Sequence, residues 1–86
     1  MLDQKHLALV EAEVATILRT EREKQGLSMN LVAERAGLSQ PMVSLVEREL
    51  RKPTLDTLLR IAVALEIDLA EVLQRAQRAA ARHKTR

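Results

Sequence analysis

Eighty-six residues are expected to form one domain with short extensions, and with 47% apolar residues but no Phe, Trp or Tyr its core must be assembled from Leu, Val, Ile, Ala and Met. The missing aromatics argue against single-strand recognition by base stacking, the missing cysteines exclude disulfides and thiolate zinc, and two lone histidines offer no metal or cofactor ligand set. The formal charge is only +2, yet Arg75, Arg78, Arg82, Lys84 and Arg86 together outweigh it, so the rest is net acidic and a surface for a polyanion has to be local: that basic end, or the group Arg48, Arg51 and Lys52.

The opening Met1-Leu2-Asp3-Gln4-Lys5-His6 lacks the pattern of a signal peptide and no apolar run matches a bilayer, so a cytoplasmic protein with no membrane partner is expected. Leu7, Val10, Val14, Ile17 and Leu18 recur at spacings of three and four, which predicts a first helix running to about Gln25 and closed by Gly26. Ser28 is a natural N-cap for a short second helix with Val32, Ala33 and Ala36 inward and Gly37 at its end. Ser39 caps a third helix that tolerates Pro41 in its first turn and turns Val43 and Val46 inward as far as Glu47. Pro53 and Thr54 open a fourth, whose buried stripe is read as Leu55, Leu58, Leu59, Ala62 and Leu65. Asp68 with Glu71 reads as a capping box for a fifth helix that buries Leu69, Val72, Leu73 and Ala76 and extends to about Arg82. No segment alternates with the period of a strand, so the expected class is all-α with five helices.

Two short helices joined by Gly37-Leu38-Ser39 suit a helix-turn-helix: the glycine permits the sharp turn, Leu38 fills the gap between the helices and Ser39 caps the second. Such a helix fits the major groove, where its first turns meet base edges and its cap and flanks hold phosphates. Val43 and Val46 take the inward phase, so Gln40, Pro41, Met42, Ser44 and Leu45 are expected to be exposed and to read bases. Gln40 suits adenine, Ser44 bonds several bases, and Met42 and Leu45 suit thymine methyls. Ser28, Ser39, Arg48, Arg51 and Lys52 are the expected phosphate contacts.

Gly26-Leu27-Ser28, Val32-Ala33, Ala36-Gly37-Leu38-Ser39, Val43-Ser44, Glu47-Arg48, Pro53-Thr54-Leu55 and Ile61-Ala62-Val63-Ala64-Leu65 resemble the lambda-repressor-like, or Xre, family of bacterial and phage regulators. The likeness covers residues 17–73, leaving an N-terminal helical extension over 1–16 and a basic helix end and tail over 74–86 of one helix-turn-helix domain. It implies a five-helix lambda-repressor-like fold with an extended first helix, a homodimer on a pseudo-palindromic operator in double-stranded DNA, and transcriptional control. It also implies an ion pair between Arg22 and Glu47 that ties the recognition helix to the scaffold. Three positions depart from the family pattern: Met29 and Glu49 stand where Gln and Gly are usual, and Leu31 where a polar residue is usual, which reads as an extra exposed apolar group at an interface.

Other readings accompany these. Arg75, Arg78 and Arg82 share a helix face that is either a solvated surface or a phosphate contact, and His6 and His83 read as ordinary surface residues. Ser28, Ser39 and Ser44 have no histidine at motif spacing and the acids are scattered, so the chain is expected to be no enzyme. The alternative to an operator-binding repressor is a protein-interaction module, such as an antitoxin holding a small protein partner.

Overall fold

The computed structural model describes residues 3–84, and among them lie five helices and no strand: α1 Gln4–Lys24, α2 Met29–Ala36, α3 Gln40–Glu47, α4 Leu55–Ala64 and α5 Leu69–Lys84. Every start carries a side-chain cap. Asp3, Ser28, Ser39 and Thr54 accept from the backbone N–H of His6, Leu31, Met42 and Thr57, and Asp68 accepts from that of Ala70 at 3.0 Å.

The first four helices end in one device. After each, a residue at positive φ lets the chain turn back while two N–H groups close on the last turn, the pattern of a Schellman motif. Glycine holds this place after α1 and α2 (Gly26 φ 71°, Gly37 φ 68°), and glutamate holds it after α3 and α4 (Glu49 φ 59°, Glu66 φ 57°). After α3, for instance, Glu49 N–H donates to Val46 O at 3.1 Å and Leu50 N–H to Leu45 O at 2.9 Å. Gln25 thus caps α1, with Gly26 one place beyond it.

Val14, Ile17 and Leu18 of α1 join Val32, Ala33 and Ala36 of α2, Val43 and Val46 of α3, Ile61, Ala62, Ala64 and Leu65 from α4 and its cap, and Leu69, Val72 and Ala76 of α5 in one core. The long helices α1 and α5 run antiparallel, since Glu13 meets His83 while Glu21 meets Arg75. Ala76 and Ala80, both fully buried, leave room for a close approach of the two axes.

The stripe expected on α4 needs correction. Leu55 and Leu59 are 64% and 46% exposed, together with Val63 at 72%, while Thr57, Ile61, Ala62 and Ala64 are buried and Leu58 is partly so. The helix is apolar on two sides, so the inward track and the outward track of residues four apart merge into one apparent stripe in the sequence. Leu7 is 42% exposed, because the first turns of α1 project past the core. His6, expected at the surface, is half-buried with its Nδ1 shut off from solvent, and His83 is exposed. Among the described residues no helix is long and apolar enough to cross a membrane.

Candidate nucleic-acid interface

α2 and α3 pack directly on each other across the turn 37–39. Gly37 N–H donates to Glu34 O and Leu38 N–H to Ala33 O, and the Leu38 side chain lies half-buried on the core between the two helices. Arg60 of α4 reinforces this turn. Its Nη1 donates to the carbonyl of Ala36 at 3.2 Å while its Nε donates to Asp56 at 2.8 Å, so a cation caps the C-terminus of α2, where the helix dipole favours positive charge.

The far end of α3 is tied to α1. Arg22 Nε donates to Glu47 Oε2 at 2.7 Å and Nη2 to Glu47 Oε1 at 3.0 Å, a bidentate bridge whose side chains are only 12% and 6% exposed. Arg22 Nη1 also donates to the carbonyl of Leu27 at 2.9 Å, which fixes the chain between α1 and α2. The hydrogen bond to Glu47 holds the Arg22 pKa above its ordinary value, so the guanidinium stays charged throughout any working pH range.

Between these fixings α3 shows a graded surface. Of the five residues expected to be exposed only Pro41 is, whereas Gln40, Ser44 and Leu45 are half-buried at the helix surface. Met42, expected to be exposed, is half-buried against the core instead. Leu31 likewise is half-buried rather than free, because the α2 stripe is wider than the Val32-Ala33-Ala36 track. Gln40 Nε2 donates to the Met29 sulfur at 3.7 Å, which links the first turns of α2 and α3. Ser28 and Ser39 accept the N–H of Leu31 and Met42, and each hydroxyl keeps its own hydrogen for another acceptor.

Beyond α3, Arg48, Arg51 and Lys52 are exposed around the apolar Leu50, which is 61% exposed. Lys52 lies 3.7 Å from Glu11 of α1, a bridge too exposed at 84% and 51% to hold it in place. The basic side of α5 turns towards the acids of α1. Arg75 is 3.6 Å from Glu21, and Arg78 and Arg82 line a groove with Glu13 and Ile17. Arg86 lies outside the described residues.

Two features of this site were not foreseen. Arg60 carries the i,i+4 spacing to Asp56 that marks a helix-surface pair, but its bond to a carbonyl 24 residues away has no local trace. The bond from Gln25 Nε2 to Leu65 O, 2.8 Å long, joins the ends of α1 and α4 in the same hidden way.

Five helices with a clamped, surface-facing α3 following a glycine turn define the class, a helix-turn-helix protein of DNA-binding type. The helix-turn-helix family model HTH_3 matches residues 18–72, and the chain belongs to that family. The uncharacterised HTH-type transcriptional regulator Rv0474 of Mycobacterium tuberculosis is 50% identical over 58 residues, which are 67% of this chain and 41% of that protein, so the chain spans about two fifths of the curated relatives it matches. The restriction-modification controller protein C.AhdI from Aeromonas hydrophila shares 34% identity with a TM-score of 0.68, over 71% of this chain and 92% of that one. The clp gene regulator ClgR from Corynebacterium glutamicum shares 27% identity with a TM-score of 0.77, over 90% of this chain and 81% of that one. The family is one of DNA-binding transcription regulators rather than of enzymes.

Proposed function

We propose that the protein is a sequence-specific repressor or controller of transcription that lays α3 in the major groove of double-stranded DNA and acts as a homodimer on a pseudo-palindromic operator. One observation carries the reading: α3 is anchored at its end by the Arg22–Glu47 bridge and at its start by the Ser39 cap, while Gln40, Pro41, Ser44 and Leu45 remain at the surface. A helix held so firmly loses little freedom on docking. Gln40 and Ser44 then bond base edges, and Pro41 and Leu45 pack on thymine methyls. The freed hydroxyl hydrogens of Ser28 and Ser39 reach phosphates, and Arg48, Arg51 and Lys52 supply the charge beside them.

The two-fold symmetry rests on Leu55, Leu59 and Val63, which line one exposed side of α4. A second copy covers this stripe best. Antiparallel pairing about Leu59 sets Leu55 of one copy against Val63 of the other.

The test is selection of bound duplexes from a randomised pool, followed by titration at physiological salt. The reading expects a dyad-symmetric sequence bound at least about a thousandfold more tightly than random duplex. Equal binding of all duplexes, or copurification with a small protein partner and no DNA preference, would reject it.

A further inference from the structure

Ala8, Glu11, Val14 and Ala15 fall on one face of α1, opposite Val46 of α3 and the chain 49–53 that leads to α4. Between them lies a cavity of about 150 Å³, the size of an apolar cavity that takes up benzene. Its existence follows from composition, since two of its walls are alanines and the chain has no aromatic residue to fill such a gap. The floor is apolar and largely closed to water: Val14, Ala15 and Val46 are buried and Pro53 is half-buried. The rim carries both signs of charge. Glu11 and Glu49 bring two carboxylates and Arg51 and Lys52 two cations, all on exposed residues, and Lys52 Nζ stands 3.7 Å from Glu11 Oε2.

We propose that this cavity binds a small aliphatic α-amino acid, an effector that competes with DNA for Arg51 and Lys52. The class of ligand follows from the combination of floor and rim. A hydrocarbon gains by entering the apolar floor, but by itself it leaves every charge on the rim unused. A plain carboxylate meets Arg51 and Lys52 favourably and Glu11 and Glu49 unfavourably, and a plain amine does the reverse. A zwitterion satisfies both sides. Its carboxylate takes Arg51 and Lys52, its ammonium takes Glu11 and Glu49, and a branched side chain such as that of valine or leucine fills the floor among Val14, Ala15, Val46 and Pro53. The competition rests on the reading of Arg51 and Lys52 as phosphate contacts. A cation engaged by the ligand's carboxylate is withdrawn from the DNA backbone, so ligand and DNA weaken each other by the same factor.

The experiment titrates the full chain in a calorimeter with L-leucine, and with 4-methylpentanoate and 3-methylbutylamine, which are leucine without its ammonium and without its carboxylate. Leucine should bind about tenfold more tightly than either, the worth of one charge-assisted hydrogen bond. E11Q should weaken leucine yet strengthen 4-methylpentanoate, because only leucine has a cation to lose there. A8L puts a larger side chain into the cavity from an exposed position of α1, and should abolish leucine binding with thermal midpoint and operator affinity unchanged. Titration of the selected operator in saturating leucine should show binding about tenfold weaker, with a salt slope smaller by about two, one for each cation withdrawn. Absence of leucine binding, leucine binding that A8L leaves intact, or bound leucine with an unaltered operator titration overturns the proposal and leaves the groove reading standing. If the wild type prefers no duplex, the groove reading and the competition fall together, whereas leucine binding that A8L removes still establishes the site.

Discussion

Arg22 and Glu47, 25 residues apart, form a two-bond bridge that closes the end of α3 onto α1, and the same guanidinium holds the carbonyl of Leu27. Three segments meet in one side chain. Because both partners are largely withdrawn from water, removing one strands the other, and R22A or E47A is expected to lower unfolding stability by about 3 kcal/mol in urea titration. The double variant should lose much less than the sum of the two singles. Full additivity would show that the bridge contributes little coupling.

Gly37 is constrained twice. Its φ of 68° is left-handed, and a Cβ there would sit 3.0 Å from Nη1 of Arg60, the nitrogen that caps Ala36. Gly26 has a similar φ of 71° but open space around it. G26A is therefore expected to cost about 1 kcal/mol from backbone strain, and G37A distinctly more, because the Arg60 cap must also shift. Equal thermal midpoints for the two variants would contradict this.

Glu49 and Glu66 adopt the same left-handed backbone with a side chain that disfavours it. E49G and E66G should each raise the melting temperature by several degrees, corresponding to about 1 kcal/mol. A fall would show that the glutamates contribute contacts worth more than the strain. E49G is expected to leave operator preference unchanged, because the residue lies beyond the helix that reads bases.

The exposed stripe of α4 gives a separate expectation. L59E places charge at the centre of the proposed two-fold, so sedimentation should report monomers and operator affinity should fall at least tenfold, with an unchanged helical circular dichroism spectrum. Dimers that persist in L59E would move the interface elsewhere.

How far the residues alone disclosed this architecture depends on the range of the interactions involved. Gly26, Gly37, Ser28, Ser39 and Thr54 act within one helical turn, and the helix boundaries they mark were legible. Glu66 at positive φ was not, since nothing local distinguishes it from any other exposed glutamate. Apolar periodicity located α4 but misjudged its orientation, because Leu55, Leu59 and Val63 repeat as regularly as the residues that are buried. On α3 the inward phase of Val43 and Val46 was clear, whereas the burial of Met42 and the link between Gln40 and Met29 depend on how α2 crosses α3. Arg60 reaching Ala36 is a tertiary contact that no spacing encodes.

The measurement that bears most directly on the account compares Q40A and L45A with R48A and R51A, each titrated against operator and random duplex over a range of salt. Base readout by α3 predicts that Q40A and L45A lose about 1 to 3 kcal/mol on the operator and little on random duplex, with the salt slope unchanged. The two arginine variants should lose affinity for both duplexes alike, with the slope reduced by about one each. Operator preference that survives Q40A and L45A intact would contradict the claim that α3 reads the DNA sequence.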